Sequence, residues 1–256
     1  MASALIGYTG FVGANIARQL SFEGLYNSSN IEEMRDEAFE HVVCAGVRAV
    51  KWWANKNPSE DLAEIEKLVA VLKTVRADSF TLISTVDVYP DASGVDEATT
   101  VLKDSGEPYG RHRLGLEHIV KELFDQVHIV RLPALFGDGL KKNALFDMMT
   151  DNRLDYVSFG SSFQWYDLSR LGQDIKVIED AGLDVVNLVT EPVVTKEIQE
   201  QFFADKMIGS QAPHVVSYDV RTVHNSVVGG HGGYISRKSE VLADIGRFLN
   251  KAEVGI

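Results

Sequence analysis

The sequence predicts an α/β fold: a doubly wound, mostly parallel sheet with a small C-terminal region covering its edge. Three observations predict it. The chain opens on a short apolar run, Ala4-Leu5-Ile6, that leaves through three glycines spaced by two residues, Gly7, Gly10 and Gly13. Short β-branched runs then alternate with segments of helical period, the signature of βαβ units with right-handed crossovers. Several of the runs are apolar throughout, as strands buried on both faces are.

Each element follows in order. From Gly13 the apolar residues Ile16, Ala17 and Leu20 share one helical face. Leu25-Tyr26-Asn27 reads as a second short strand, ending in polar Ser28-Ser29-Asn30. His41 to Val47 reads as a third strand, Leu62 to Val75 as a helix and Phe80 to Val88 as a fourth strand. Pro108 to Phe124 carries the stripe Leu116, Ile119, Val120, Leu123 and Phe124 of another helix. Strands are expected at Val127 to Leu132 and Val185 to Val189, and a closing helix from Ser239 to Leu249.

Composition narrows the function. With 45% hydrophobic and 24% charged residues the chain can bury a core. A net charge of −12 with scattered lysines and arginines argues against nucleic acid, which needs a basic face. The single cysteine, Cys44, forms no intrachain disulfide, and no Cys/His cluster points to a metal. No apolar run of about 18 residues and no charged-then-apolar leader is present, which points to a cytoplasmic protein without a membrane partner.

The glycine turn carries the first chemistry. Gly7 lets the chain turn sharply off the strand, Gly10 lets backbone approach a pyrophosphate, and Gly13 lets the helix pack close. Amides and the positive end of the helix dipole then face the phosphates, with Thr9, Phe11 and Val12 lining the turn. Residues 1–137 read as a dinucleotide-binding core to which 170–195 return. Residues 138–169 and 196–256 read as the smaller, substrate-binding region. Dinucleotides are told apart at the tip of the second strand, where NAD proteins place a carboxylate. Here Asn27, Ser28, Ser29 and Asn30 stand there, with Arg35 beyond, which favours NADP over NAD; a strand running on to Glu32 would reverse that preference.

Two further segments complete a pattern: Ser84-Thr85-Val86-Asp87-Val88-Tyr89 at a strand end, and Tyr109-Gly110-Arg111-His112-Arg113 at a helix start. With the later Arg131-Leu132-Pro133-Ala134-Leu135-Phe136-Gly137-Asp138-Gly139, the chain resembles the extended short-chain dehydrogenase/reductases, and among them the nucleotide-sugar epimerases and dehydratases. The resemblance implies a Rossmann-like sheet and a nicotinamide cofactor. It places Thr85 as the hydroxyl that bonds the reacting oxygen and Tyr109 as acid/base. It also places Ala45, Gly46, Val47, Ser84, Pro133 and Leu135 against the cofactor, and implies a homodimer.

A tyrosine with a pKa near 10 needs a neighbouring positive charge to act as a base near neutrality. The family supplies a lysine four residues on, one helical turn away. This chain has Arg113 there, expected to lower the phenol's pKa and hold the nicotinamide ribose. Asp87 occupies the second of two positions where the dehydratases carry carboxylates, and Val86 the first, so a two-carboxylate eliminating apparatus is absent. Asp87 is open to acid/base work or to a sugar hydroxyl.

For the substrate, a small molecule and by resemblance a nucleotide sugar, the candidate contacts are Lys51, Asn55, Lys142, Asn143 and Gln164. His231, in its glycine loop, reads as structural. Two readings stand: a hydride-transferring oxidoreductase or epimerase, and a non-catalytic dinucleotide-binding sensor or scaffold. The second is motivated by Arg113 and by the short chain.

Overall fold

The computed structural model describes residues 2–212 and 214–254. Six parallel strands form the central sheet: β1 (Ala2–Ile6), β2 (Gly24–Tyr26), β3 (Ala38–Cys44), β4 (Arg76–Thr85), β5 (Val127–Leu132) and β9 (Val185–Asn187). Their order is β2-β1-β3-β4-β5-β9. The order reverses between β1 and β3, so helices leave to opposite faces there and open a crevice at the carboxyl ends of the strands.

On one face lie α2 (Lys51–Lys56), α3 (Pro58–Leu72) and α4 (Pro108–Leu123). Ile65, Leu68 and Leu72 of α3 and Leu116 and Val120 of α4 pack there on Ala4, Ile6, Val42 and Leu82. On the other face, α1 (Phe11–Ala17) and α6 (Leu171–Asp180) set Ile16, Leu171, Ile175 and Ile178 against Leu5, Val43, Val130 and Val186. Neighbours such as Leu5 and Ile6 go to opposite cores because side chains alternate along a strand. Cys44 is buried in the first of these cores, and burial pushes its thiol up to about 11.

A third core belongs to the chain's later half. It joins β6 (Ala134–Phe136), α5 (Ala144–Thr150), β7 (Ser162–Phe163), β8 (Trp165–Asp167), β10 (Val193–Val194), α7 (Thr195–Phe202) and α8 (Lys238–Val254) through Phe136, Leu145, Trp165, Ile198 and Ile245. Here β6 pairs with β8 in parallel and β10 with β7 antiparallel. Sequence pattern did not foresee α2, α5, α6, α7 or these short strands.

Two boundaries differ from the expected ones for reasons that shape the site. The fourth strand stops at Thr85, not Val88, because the Thr85 hydroxyl accepts the Asp87 amide at 3.1 Å and turns Val86–Val88 into a 3-10 turn. The third stops at Cys44, where the Ala45 amide donates to the Ile6 carbonyl at 2.9 Å and the chain bends under Gly7. None of the helices among the described residues is long and apolar enough to cross a membrane.

Candidate active site

The glycine turn is built as tightly as its spacing implies. Gly7 adopts φ +89°, and its amide donates to the Tyr26 carbonyl at 2.7 Å, which draws the β2 tip alongside. A Cβ on Gly7 would sit 2.4 Å from the Ala45 carbonyl oxygen, and one on Gly13 2.1 Å from the Gly7 carbonyl oxygen. No side chain caps Gly10 at the start of α1. Backbone that admits only glycine at Gly7 and Gly13, and an uncapped first turn, fit a dinucleotide diphosphate, which Thr9 to Gly13 would hold. At the β2 tip the Asn27 carboxamide oxygen accepts from the Ser29 amide at 2.8 Å, and Asn30 accepts from the Asn27 amide at 2.8 Å. Arg35 lies apart from that turn: it pairs with Glu32 and donates to the Ala70 carbonyl at 3.0 Å.

Two strands across, on the same sheet edge, Thr85 ends β4. The start of α4 comes against it because Gly110 has no side chain: a Cβ there would lie 1.8 Å from the Asp87 carbonyl oxygen. The Asn55 carboxamide oxygen accepts the Tyr109 amide at 2.9 Å. Tyr109 is thereby brought beside Thr85, with Asp87 and Lys51 close enough to act on its charge. Burial pushes the phenol's pKa above its usual value. The Arg113 charge works against that, with the Thr85 hydroxyl and Lys51 behind it.

Arg113 serves Tyr109 by stacking, with its guanidinium carbon 4.0 Å from the ring centroid. Its reach to a ribose is another matter. The group is 4% exposed, and its four terminal N–H positions go to both carboxylate oxygens of Asp61, to the Tyr109 carbonyl at 3.1 Å and to the Arg48 carbonyl at 2.6 Å. The expectation that Arg113 holds the ribose is therefore not met by its geometry; Asp61 has claimed the fork.

Around Asp87 a second cluster closes. Lys51 Nζ meets Asp87 Oδ1 at 2.6 Å and the Tyr218 hydroxyl at 2.9 Å, and that hydroxyl donates to the same Oδ1 at 2.7 Å. Burial opposes the Lys51 ammonium, but Asp87 and Tyr218 outweigh it and raise its pKa. Burial first, then Asp87, pushes the Tyr218 phenol up to about 12, so it remains a donor. Tyr218 also stacks on Phe163, centroids 5.9 Å apart, and Phe163 lines a cavity of about 410 Å³ with Arg153, Tyr156 and His214.

A model of the NAD-dependent epimerase/dehydratase family matches residues 4–169, which spans the glycine turn, Thr85 and Tyr109. The chain belongs to that family. No curated relative matches it by sequence. Among solved structures, it is similar to TunA, an NAD-dependent NDP-hexosamine 5,6-dehydratase of tunicamycin biosynthesis (TM-score 0.77, 17% identity, 99% of this chain and 98% of that one). It is also similar to a UDP-glucose 4-epimerase from Thermotoga maritima with UDP-glucose (TM-score 0.73, 14% identity, 98% and 99%). A third is MoeE5 in complex with UDP-glucuronic acid and NAD (TM-score 0.72, 16% identity, 96% and 99%). At these identities the likeness is one of fold.

Within this epimerase/dehydratase chain, several expected contacts are spent internally. Gln164 is 1% exposed; it donates to the Thr190 and Val220 carbonyls at 2.6 and 2.8 Å and accepts the Val220 amide at 2.9 Å. It pins the Tyr218 segment and faces no ligand. Asn143 caps α5 through the Phe146 amide at 3.0 Å and donates to the Leu135 carbonyl at 2.8 Å. Asn55 caps α4 as described, and Lys142 donates to the Ala49 carbonyl. Ser84 donates to Glu117 at 2.5 Å, part of a buried network in which Arg131 bonds Glu117 and Tyr89. Of the remaining positions, Gly46 lies against Ile6 below the glycine turn, and Val47, Pro133 and Leu135 flank the ends of β3 and β5. His231 donates its amide to the Tyr234 carbonyl and its ring meets Arg237, a loop-building role.

Sequence reasoning missed Asp61, Gly110 and Tyr218. Gly110 left a signal, a glycine directly after the helix-opening tyrosine. Its replacement by alanine must lift α4 from the Asp87 turn. Gly110→Ala is expected to cost about 1–3 kcal/mol in denaturant titration and to slow turnover about a hundredfold through displacement of Tyr109. Gly115→Ala on the same helix meets open space and is expected to gain up to about 1 kcal/mol.

Proposed function

We propose that the protein is a nicotinamide-dependent epimerase or reductase acting on a sugar, carried as its nucleotide diphosphate conjugate. The observation that carries this is the convergence of Thr85, at the end of β4, and Tyr109, whose helix closes onto the Asp87 turn at Gly110, on the sheet edge that also holds the glycine cradle. Adjacent strands lie about 4.8 Å apart, so β1 and β4 are about 10 Å apart across β3. One extended ligand reaches both.

The dinucleotide supplies the hydride acceptor and donor. Thr85 positions the sugar oxygen by hydrogen bonding. Tyr109 gives that oxygen a proton or takes one from it, and Arg113 adds positive charge behind the ring. Asp87 lies beside the same oxygen, within reach of the sugar's other substituents. The cavity with Arg153, Tyr156 and Phe163 offers an aromatic and cationic lining suited to the nucleotide part of such a substrate. The polar, carboxylate-free tip Asn27–Asn30 favours NADP.

Fluorescence titration with NADPH and NADH tests this directly. Binding of both is expected, with NADPH tighter by about tenfold, a difference of about 1.4 kcal/mol. Gly13→Ala is expected to weaken both by more than about tenfold, because its methyl displaces the turn that meets the phosphates. A folded wild-type protein with no affinity for either nucleotide overturns the proposal. Binding without cofactor reduction or oxidation across nucleotide sugars supports the sensor reading instead.

A further inference from the structure

We propose that Lys51 and Tyr218 are positioning residues that act through Asp87, making its Oδ2 the acceptor for a proton on the sugar carbon next to the one oxidised at Thr85 and Tyr109. The inference rests on the function proposed above and adds a second proton-transfer centre to it.

Three separate elements build this centre. Asp87 comes from the turn after β4, Lys51 from the first residue of α2, and Tyr218 from the covering segment, whose amide donates to the Ser162 carbonyl at 3.1 Å. All three polar atoms lie within 2.6–2.9 Å of one another. Both outside donors converge on the same carboxylate oxygen, Oδ1. The other, Oδ2, has only a long 3.4 Å contact from the Thr85 hydroxyl. The division fixes the carboxylate plane and turns the less occupied oxygen toward Thr85, and so toward the substrate oxygen that Thr85 and Tyr109 share.

The chemistry balances with an oxidised nicotinamide as the electron acceptor. Oxidation at the Thr85–Tyr109 oxygen leaves a carbonyl there: the hydroxyl proton goes to Tyr109 and the hydride to the nicotinamide. The neighbouring C–H bond then breaks. Its electron pair enters the enolate and its proton bonds to Asp87 Oδ2. Return of the proton from Oδ2, exchanged with solvent, to the same face of that carbon, and of the hydride to the carbonyl, restores the sugar with solvent hydrogen at that carbon; inversion there needs a proton donor on the opposite face. Lys51, half-exposed, faces Asp87 with a positive charge throughout, and the Tyr218 hydroxyl donates to Oδ1 without giving up its proton.

The test compares two readouts on one protein. UDP-glucose and UDP-glucuronic acid are incubated with oxidised NAD or NADP in deuterium oxide. Absorbance of the reduced nicotinamide follows the hydride step, and mass spectrometry of the recovered sugar follows carbon-bound deuterium. Wild type is expected to show both. In Tyr218→Phe and Lys51→Met, deuterium incorporation is expected to fall at least about tenfold further than the hydride step, a fraction of the roughly 10²–10⁴-fold that a general base contributes. Lys51→Arg is expected to recover most of that differential loss by restoring the charge. Equal losses in both readouts, or incorporation at the wild-type ratio, overturn the inference alone. Wild type that reduces the cofactor without incorporating deuterium also overturns only the inference. Wild type silent in both readouts overturns it together with the proposed function.

Discussion

Tyr109→Phe is expected to slow hydride transfer about a thousandfold, within the range for loss of a positioned acid/base, while dinucleotide affinity stays within about twofold, a change of about 0.4 kcal/mol. The separation follows from where the phenol sits. Its ring is held by the Arg113 stack and its amide by Asn55, and neither hold needs the hydroxyl. The hydroxyl lies toward Thr85, where the proposed function places the reacting oxygen. Stopped-flow absorbance of the cofactor, set beside equilibrium titration, measures the two quantities independently. The direction of the pKa shift adds a pH signature. Burial leaves the Tyr109 phenol protonated through neutral pH, ready to donate as a carbonyl is reduced. The reductive direction is therefore expected to be flat near neutrality. The oxidative direction needs the phenolate, so its rate is expected to climb with pH.

The parts of this molecule that could be read from sequence are those whose physics is local. Three glycines three residues apart admit few backbones other than the tight strand-to-helix turn seen at Gly7. The apolar stretches of β3, β4 and β5 declare burial on both faces. The later half obeys different rules. Strands such as β7 and β10 are two residues long and persist through tertiary bonds, Gln164 to the Val220 segment among them. No periodicity announces elements that short. Tyr218 sits in that region and gains its meaning only when the covering chain lays it over Asp87, 131 residues away. Lys51 was legible as a polar residue just past a strand; that its charge faces Asp87 was not.

Asp61 shows the same limit on a helix, and its removal has the largest expected cost to stability. In sequence it is one acidic residue in the charged first turn of α3, where a carboxylate favours the helix dipole and usually faces solvent. In the structure it is 1% exposed, and both oxygens bond Arg113 while His112 Nδ1 meets Oδ2 at 2.8 Å. Asp61→Asn leaves a buried guanidinium without its counter-charge and is expected to cost about 3–5 kcal/mol in denaturant titration. The double variant Asp61→Asn with Arg113→Met removes the stranded charge, so it is expected to be more stable than the single Asp61 variant, a non-additivity that a double-mutant cycle reads directly. A double-variant cost equal to the sum of the costs of Asp61→Asn and Arg113→Met alone would show that the pair is not coupled. Acid adds an independent check. Burial works to raise the Asp61 pKa, and the Arg113 and His112 hydrogen bonds reverse it, so the folded value lies below the unfolded carboxylate value of about 3.9. A lowered folded pKa contributes stability that is complete above the unfolded value and disappears as pH falls through the folded one. Wild type is thus expected to lose stability below about pH 4 more steeply than Asp61→Asn, because the variant has no such proton to take up. The clamp also explains the site. By fixing Arg113 beneath the Tyr109 ring, Asp61 gives the phenol a positive neighbour whose position owes nothing to the cofactor.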